Sequence, residues 1–422
     1  MNRGNTLNLK LILNWPFFIA RHLSAKQQKS FSKTIMRLAI VSVGLSTAVM
    51  IVALATVSGF QNGIREKITS AHGDIIIDDI SNVEGAVPIP VEQSFEKFTL
   101  PLQQIQGVKS IHPCLLRPFI GKGKEEIDGM VAKGVDPNYD FTFYRLNLVQ
   151  GKIPDFAADS NQVLVSSTTA SRLGLKLGDH FKGLFFKTDA EGNQSIKAMN
   201  PTICGIFNSG LDEFDKTFVL TSRPVLRRMT DPGYSFSQWE VKLNRSEESE
   251  KIAYQAVQQL PVGRFNVNTS RKYNRQIFDW LGLLDTNVII ILFLMILVAC
   301  INMSTTLLIL ITERTHMVGT LKALGAKNGS VAWIFLYQAL IISAGGLLLG
   351  NFIGLGFCWL QDKYHLIKLN QETYYVDHVL IDIEPWHLPV VNLGTLFICL
   401  LVLFIPSMLI NRMTPVKSMK FE

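Results

Sequence analysis

The chain has 422 residues, of which 48% are hydrophobic and only 18% charged. That balance excludes a disordered chain and argues against a wholly soluble one, and five cysteines without paired spacing exclude a disulfide scaffold or a zinc ribbon. The net charge of +7 has one source: residues 1–37 carry Arg3, Lys10, Arg21, Lys26, Lys29, Lys33 and Arg37 and no acid, while the remainder is balanced. A basic surface for nucleic acid does not need that distribution; the cytoplasmic flank of a membrane span does.

In chain order, the basic arm 1–37 contains Leu11–Ala20 (LILNWPFFIA), apolar but too short to span. It reads as an elbow helix on the membrane surface or as a packed cytoplasmic segment. Four runs then reach the roughly 20 apolar residues a bilayer requires: residues 38–60, 286–311, 331–360 and 386–410. Backbone in hydrocarbon must satisfy its own hydrogen bonds, so all four are expected to be helices. The first is too long, and too far from the start, for a cleaved leader.

The flanks orient the spans. The arm, the 312–330 segment (Arg314, Lys322, Lys327 against Glu313) and the tail 411–422 (Arg412, Lys417, Lys420 against Glu422) are basic. The 361–385 loop is acidic, with Asp362, Glu372, Asp377, Asp382 and Glu384 against Lys363 and Lys368. Positive flanks stay inside, so both termini are expected in the cytoplasm and the long insert 61–285 and the 361–385 loop outside.

The insert mixes strands and helices. Gly73–Ile80 and Asn161–Ser167 read as strands, and Ser167–Asp179 as a short helix and turn. Gly183–Phe207 reads as a hairpin with its tip at Asp189–Asn193, where Gly192 allows positive φ. Ser246–Leu260 reads as an amphipathic helix with Ser246 as N-cap. The predicted fold is an α-helical membrane protein of four transmembrane helices, with a large α+β extracytoplasmic domain between the first and second.

Catalytic signatures are missing. The sequence has no GxxxxGK[ST], HExxH or GxSxG. His72, His112 and His180 lie in the insert without ligand spacing, so no metal is expected. Cys114 and Cys204 lie outside and would be free to pair in an oxidising compartment, but spacing alone does not decide it. No ionisable residue sits mid-span, where ion-coupled carriers keep one.

The segment after the second span carries more information: ITERTHMVGTLKALGAKNGSVAWIFLYQALI. Thr312-Glu313-Arg314 opens a polar turn, His316–Leu324 is helical in character, and Met317, Leu321 and Leu324 can share one face. Gly325 suits the position after a helix end. Such a helix either docks into a partner's groove or simply connects two spans; spacing leaves both open. In the third span Gly346, Gly350 and Gly354 recur every four residues, a spacing for close helix packing.

This segment resembles the coupling segment of FtsX-like ABC permeases, in which an E-[RK]-x5-LKALGA-like run follows the second span. The closing residues Pro406–Glu422 resemble that family's exit from the fourth span. Within the family the chain is similar to permease subunits of the lipoprotein-releasing (Lol) system. WPFFIARHL (Trp15–Leu23), VSGFQNGIREKI (Val57–Ile68), KGVDPNYDF (Lys133–Phe141), GIFNSGLDEFDKTFVLTS (Gly205–Ser222) and VACINMSTTLLILITER (Val298–Arg314) carry the likeness, in order. Arg21-His22 stands where the family often shows a double Arg, and Tyr374–Pro389 diverges.

The resemblance implies a MacB-like periplasmic core domain and a non-catalytic subunit of a type VII ABC transporter. It implies a separate ATPase chain holding the ATP and Mg, no cofactor on this chain, and a second permease copy or paralogue. It implies an acylated lipoprotein as substrate, extracted from the bacterial inner membrane and passed to a periplasmic carrier. ATPase coupling would fall to Glu313, Arg314, Met317, Leu321, Lys322, Leu324 and Gly325. Val49, Met50, Leu54, Phe293, Met295 and Leu297 would line a lipid cavity or be ordinary packed or lipid-facing residues. The tip residues Thr188, Asp189, Glu191, Gly192 and Asn193 would contact the carrier or form a plain surface hairpin. A MacB-like mechanotransmission permease for efflux and an FtsX-like scaffold activating a cell-wall hydrolase are the other readings.

Overall fold

The computed structural model describes residues 31–79, 92–124, 126–156, 160–188, 194–229 and 237–402. The elbow segment Leu11–Ala20, the end of the fourth apolar run, the tail 411–422 and the hairpin tip Asp189–Asn193 lie outside the described residues. The chain divides into two units. The first comprises residues up to Asn62, Leu281–Lys368 and the chain from Val379 onward; the second comprises Gly63–Trp280 and Leu369–His378.

The first unit is helical. Helix α1 (Phe31–His72) begins here and ends in the second unit. The apolar run was expected to stop at Phe60, but the helix continues through QNGIREKITSAH. That extension is amphipathic: Ile64, Ile68 and Ala71 are buried while Arg65 and Glu66 are exposed, so tertiary packing rather than hydrocarbon sustains it.

Helices α9 (Arg275–Glu313), α10 (Thr315–Ala323), α11 (Asn328–Tyr364) and α13 (His387–Val402) follow. Among the described residues, α1, α9 and α11 are long and apolar enough to cross a membrane, and α13 is a shorter apolar helix. Polar side chains inside these helices find partners, as an apolar surrounding demands. Asn351 and Asn392 exchange amide hydrogen bonds of 2.7 and 3.1 Å between α11 and α13. Asn302 on α9 donates to Ser42 on α1.

The second unit carries an eleven-stranded mixed sheet in the order β11-β1-β10-β2-β3-β9-β5-β8-β4, with β6 pairing β2 and β7. The strands are β1 (Ile75–Asp79), β2 (Val108–Lys122), β3 (Ile127–Val135), β4 (Leu148–Gly151), β5 (Gln162–Ser166), β6 (Lys182–Thr188), β7 (Gln194–Met199), β8 (Thr202–Phe207), β9 (Phe218–Ser222), β10 (Gln238–Leu243) and β11 (Phe265–Thr269). Helices α2 (Glu92–Gln103), α3 (Thr142–Leu146), α4 (Ser167–Arg172), α5 (Asp212–Thr217), α6 (Arg223–Met229), α7 (Ser249–Gln259), α8 (Ser270–Tyr273) and α12 (Gln371–Tyr374) also belong to this unit.

The long strand β2 joins two cores. Its first half pairs with β10 and its second with β3. One core gathers Ile75, Ile77, Trp239 and Val241 beneath Ile252 and Ala256 of α7. The other gathers Leu115, Phe119, Val163, Val165, Phe185 and Leu226.

Three local expectations change. The hairpin is β6–β7 alone, with Thr188 paired to Gln194, while β8 pairs with β4 and β5 because its buried residues Ile203, Ile206 and Phe207 need the inner sheet. Ser246 is not an N-cap: it sits in a 3₁₀ turn and donates its hydroxyl to Asp74, and α7 starts three residues later. Cys114 and Cys204 do not pair; both thiols are free, Cys114 buried on β2 and Cys204 on β8.

Candidate coupling and transmission sites

Helix α10 forms over Thr315–Ala323 with Arg314 at its N-cap. Its inward residues are Val318 and Gly319; Val318 packs with Ile311, Val331 and Phe335. The expected shared face of Met317, Leu321 and Leu324 is therefore displaced by one residue. Met317 and Leu321 are half-buried at its edge, and Leu324, the C-cap, is 80% exposed. Gly325 follows at φ +90°, and Ala326 N–H reaches back to Leu321 O at 2.9 Å, closing the helix in the manner of a Schellman turn. Lys322 is half-buried and Glu313 exposed. An exposed leucine at the end of a short, well-terminated helix is a shape that fits a groove.

Gly346, Gly350 and Gly354 face α1. A Cβ at Gly346 would stand 2.7 Å from Val43 Cβ, and one at Gly354 would stand 3.2 Å from Ile51 Cβ and from Ala48 Cα. Opposite them, a Cβ on Gly44 of α1 would lie 3.1 Å from the Gly346 carbonyl. The stripe lets the two backbones meet.

The cavity candidates separate into two groups. Met50 and Leu54 are buried, in one cluster with Ile51, Val288, Cys358 and Val391, and Met295 packs against it. Within the helical unit they pack against the other apolar side chains of that cluster. Phe293 and Leu297 are exposed, on a stripe of α9 with Ile289 and Ile301. Val49 is half-buried.

The exit of the first apolar run is a junction. A Cβ on Gly59 would lie 2.5 Å from Leu380 O, and Asp382 N–H donates to Ala55 O at 2.9 Å. Gln61 donates to Leu281 O at 3.0 Å and Asp285 at 2.9 Å, and Asn62 to Asp382 at 2.8 Å.

Comparison with known proteins decides the family. Residues 37–259 match the family described as MacB-like periplasmic core domain, and residues 289–415 match FtsX-like permease C-terminal. The chain belongs to the MacB-like periplasmic core domain family, with the FtsX-like permease match in its C-terminal part. It is 22% identical over 415 residues to the lipoprotein-releasing system transmembrane protein LolC of Xylella fastidiosa, covering 95% of this chain and 97% of that one. To LolC of Neisseria meningitidis it is 21% identical, covering 95% and 98%. To LolE of Haemophilus influenzae it is 22% identical, covering 96% and 98%.

In the permease's sheet unit the structure brings together residues whose pairing was not anticipated. Lys133 and Glu240, each almost wholly buried, form an ion pair of 2.7 Å. Burial opposes the Lys133 charge, but Glu240 more than offsets it and the ammonium stays protonated. His72, the last residue of α1, is enclosed by Phe214, Phe218 and Tyr273. Its burial, with Lys133 nearby, takes its pKa down to about 4 despite Glu240.

Asp215, in the GLDEFD turn, accepts from Ser209 N–H (3.1 Å), Ser209 Oγ (2.6 Å) and Gly210 N–H (3.2 Å), with Gly210 at φ +70°. Burial raises it to about 6 against those hydrogen bonds. The only sequence signal for Lys133 and Asp215 was their presence inside KGVDPNYDF and GIFNSGLDEFDKTFVLTS, which named positions without roles; His72 stood out only as a histidine without ligand spacing, and Glu240 carried no signal. Among the described residues no group of His, Cys, Asp and Glu is placed to hold a metal.

Proposed function

We propose that this permease is the transmembrane subunit of an ABC transporter that lifts acylated lipoproteins out of the bacterial inner membrane and passes them to a periplasmic carrier. The observation that carries the reading is end-to-end similarity to lipoprotein-releasing transmembrane proteins of three genera. The physical need is plain: each buried CH₂ is worth about 0.8 kcal/mol, so an acylated protein leaves a bilayer only when work is supplied.

In this reading α1, α9, α11 and a fourth span beginning at α13 cross the membrane. The sheet unit is inserted between the first two, and both termini are cytoplasmic. ATP and Mg bind a separate ATPase chain, whose groove receives α10 through Leu324, Leu321 and Met317, with Glu313, Arg314 and Lys322 at its rim. A second permease copy or paralogue faces this one. The exposed stripe Ile289, Phe293, Leu297 and Ile301 on α9 supplies the surface along which acyl chains enter. The β6–β7 tip reaches the carrier.

The test is purification of the tagged chain from its native membrane in mild detergent, with mass spectrometry of everything that co-elutes. An ABC ATPase together with acylated lipoproteins is the expected result. An ATPase with an efflux duct or a cell-wall hydrolase, and no lipoprotein, overturns the reading in favour of mechanotransmission or hydrolase activation.

A further inference from the structure

The segment KGVDPNYDF binds three separate elements, α6, β10 and α1, through four side chains. Asp136 holds Arg223 of α6 in a two-pronged ion pair of 2.9 and 2.8 Å. Asp140 holds Lys242 of β10 at 2.9 Å. Tyr139 donates to Glu240 Oε2 at 2.7 Å. Lys133 Nζ reaches Glu240 Oε1 at 2.7 Å, Tyr139 Oη at 3.1 Å and, at 3.2 Å, the carbonyl of Ala71 in the last turn of α1.

An ammonium has three protons to donate, and these three contacts use them. Gln238 Nε2 adds a 3.0 Å hydrogen bond to Glu240 Oε1. The pair also straddles a strand, because β3 and β10 lie on either side of β2.

Burying such a pair is no gain in stability by itself, since a well-packed apolar pair commonly serves as well or better. What an apolar pair cannot do is bind a helix end. The last carbonyls of a helix have no partner within it and carry the negative end of its dipole. Lys133 supplies both a proton and a positive charge there, while the neighbouring His72 is neutral.

We propose that Lys133 is the positioning residue through which movement of α1 is passed into the periplasmic sheet, with Glu240 carrying it across β2. The proposal rests on the ABC-permease reading above. A pull on α1 reaches Ala71, and Lys133 divides it between β3 directly and β10 through Glu240 and Tyr139. Asp136 and Asp140 carry the same movement to α6 and along β10.

The experiment compares the full-length wild type with Lys133→Met/Glu240→Leu and the charge-swapped Lys133→Glu/Glu240→Lys, each purified from its native membrane. The apolar variant keeps the packing. The swapped variant keeps an ion pair, but its glutamate has no proton to offer Ala71. Both are expected to reach wild-type abundance and to hydrolyse ATP at the wild-type basal rate, while release of an acylated lipoprotein falls at least tenfold. Release at the wild-type rate in either variant, at equal abundance, overturns the proposal.

Where neither variant accumulates, hydrogen exchange on the wild-type complex decides. A non-hydrolysable ATP analogue is expected to change protection at residues 66–72 and 133–140 together. A change at the first without the second overturns the proposal. Failure of the wild type to hold an ATPase or release lipoprotein defeats the permease reading instead, and is distinguishable for that reason.

Discussion

Gly350 on α11 rests against Thr47 on α1 so closely that a Cβ placed on the glycine would stand 2.6 Å from Thr47 Cβ, and equally near the Gly44 carbonyl. The backbones themselves are the contact surface. Gly350→Val is therefore expected to force α1 and α11 apart and to cost about 1–3 kcal/mol, the usual penalty of overpacking. Gly356→Ala on the same helix, where no atom lies within 4 Å, is the control. Thermal unfolding in detergent should fall for the first and hold for the second; an unchanged midpoint for Gly350→Val would remove the close-packing account.

Leu324 and Val318 occupy one short helix with opposite surroundings, the first 80% exposed and the second wholly buried. Leu324→Asp should leave the unfolding midpoint within a degree or two and, if the proposed ATPase partner docks on α10, abolish its stimulation. Val318→Asp places a charge among Ile311, Val331 and Phe335 and should destabilise by several kcal/mol. ATPase assays beside unfolding curves separate the two. Full stimulation in Leu324→Asp would return α10 to the role of a plain connector.

Asn351 and Asn392 bond one another in both directions between α11 and α13. Each amide also donates to a carbonyl of its own helix, Leu347 O or Leu388 O, so replacing either with Leu leaves the other half-satisfied, whereas replacing both removes the need. A double-mutant cycle should give a coupling of about 0.6–1.7 kcal/mol, the range seen for such pairs inside membrane proteins. Additive single effects would show that the amides act independently.

His72 ties stability to pH. Burial depresses its pKa to about 4 from an ordinary 6.5, so the fold favours the neutral ring. The stabilisation is present above the unfolded pKa and is lost as pH falls from about 6.5 through 4. A fall from 6.5 to about 4 corresponds to roughly 3 kcal/mol. The wild type should lose stability against His72→Leu over that interval, and unfolding measured from pH 7.5 to 4 checks it. A constant difference would mean that the ring is charged in the fold or reached by solvent.

The first three apolar runs, β1, β5 and the β6–β7 hairpin were legible because each is a local pattern. Apolar length marks a helix, and β-branched alternation marks a strand. The extension of α1 to His72 was not, because its polar residues mask the buried face of Ile64, Ile68 and Ala71 that only the sheet unit creates; nor was the start of α9 at Arg275, which carries no buried residue before Leu281. Ser246 reads as an N-cap by position, yet Asp74, far away in sequence, takes its hydroxyl. Residue type chose Met317, Leu321 and Leu324 for one face of α10, whereas packing turned the small Gly319 and Val318 inward. Lys133 and Glu240 are distant in the chain, and nothing local to either announces that the other will neutralise it.

In the function proposed above, this permease turns ATP hydrolysis into removal of an acylated protein from a bilayer. The direct measurement uses proteoliposomes holding the permease with its co-purified ATPase and a triacylated lipoprotein, and follows protein freed from the vesicles with and without ATP. Release is expected to require ATP and to fail with Leu324→Asp. Hydrolysis at the wild-type rate with the lipoprotein still in the vesicles would contradict it.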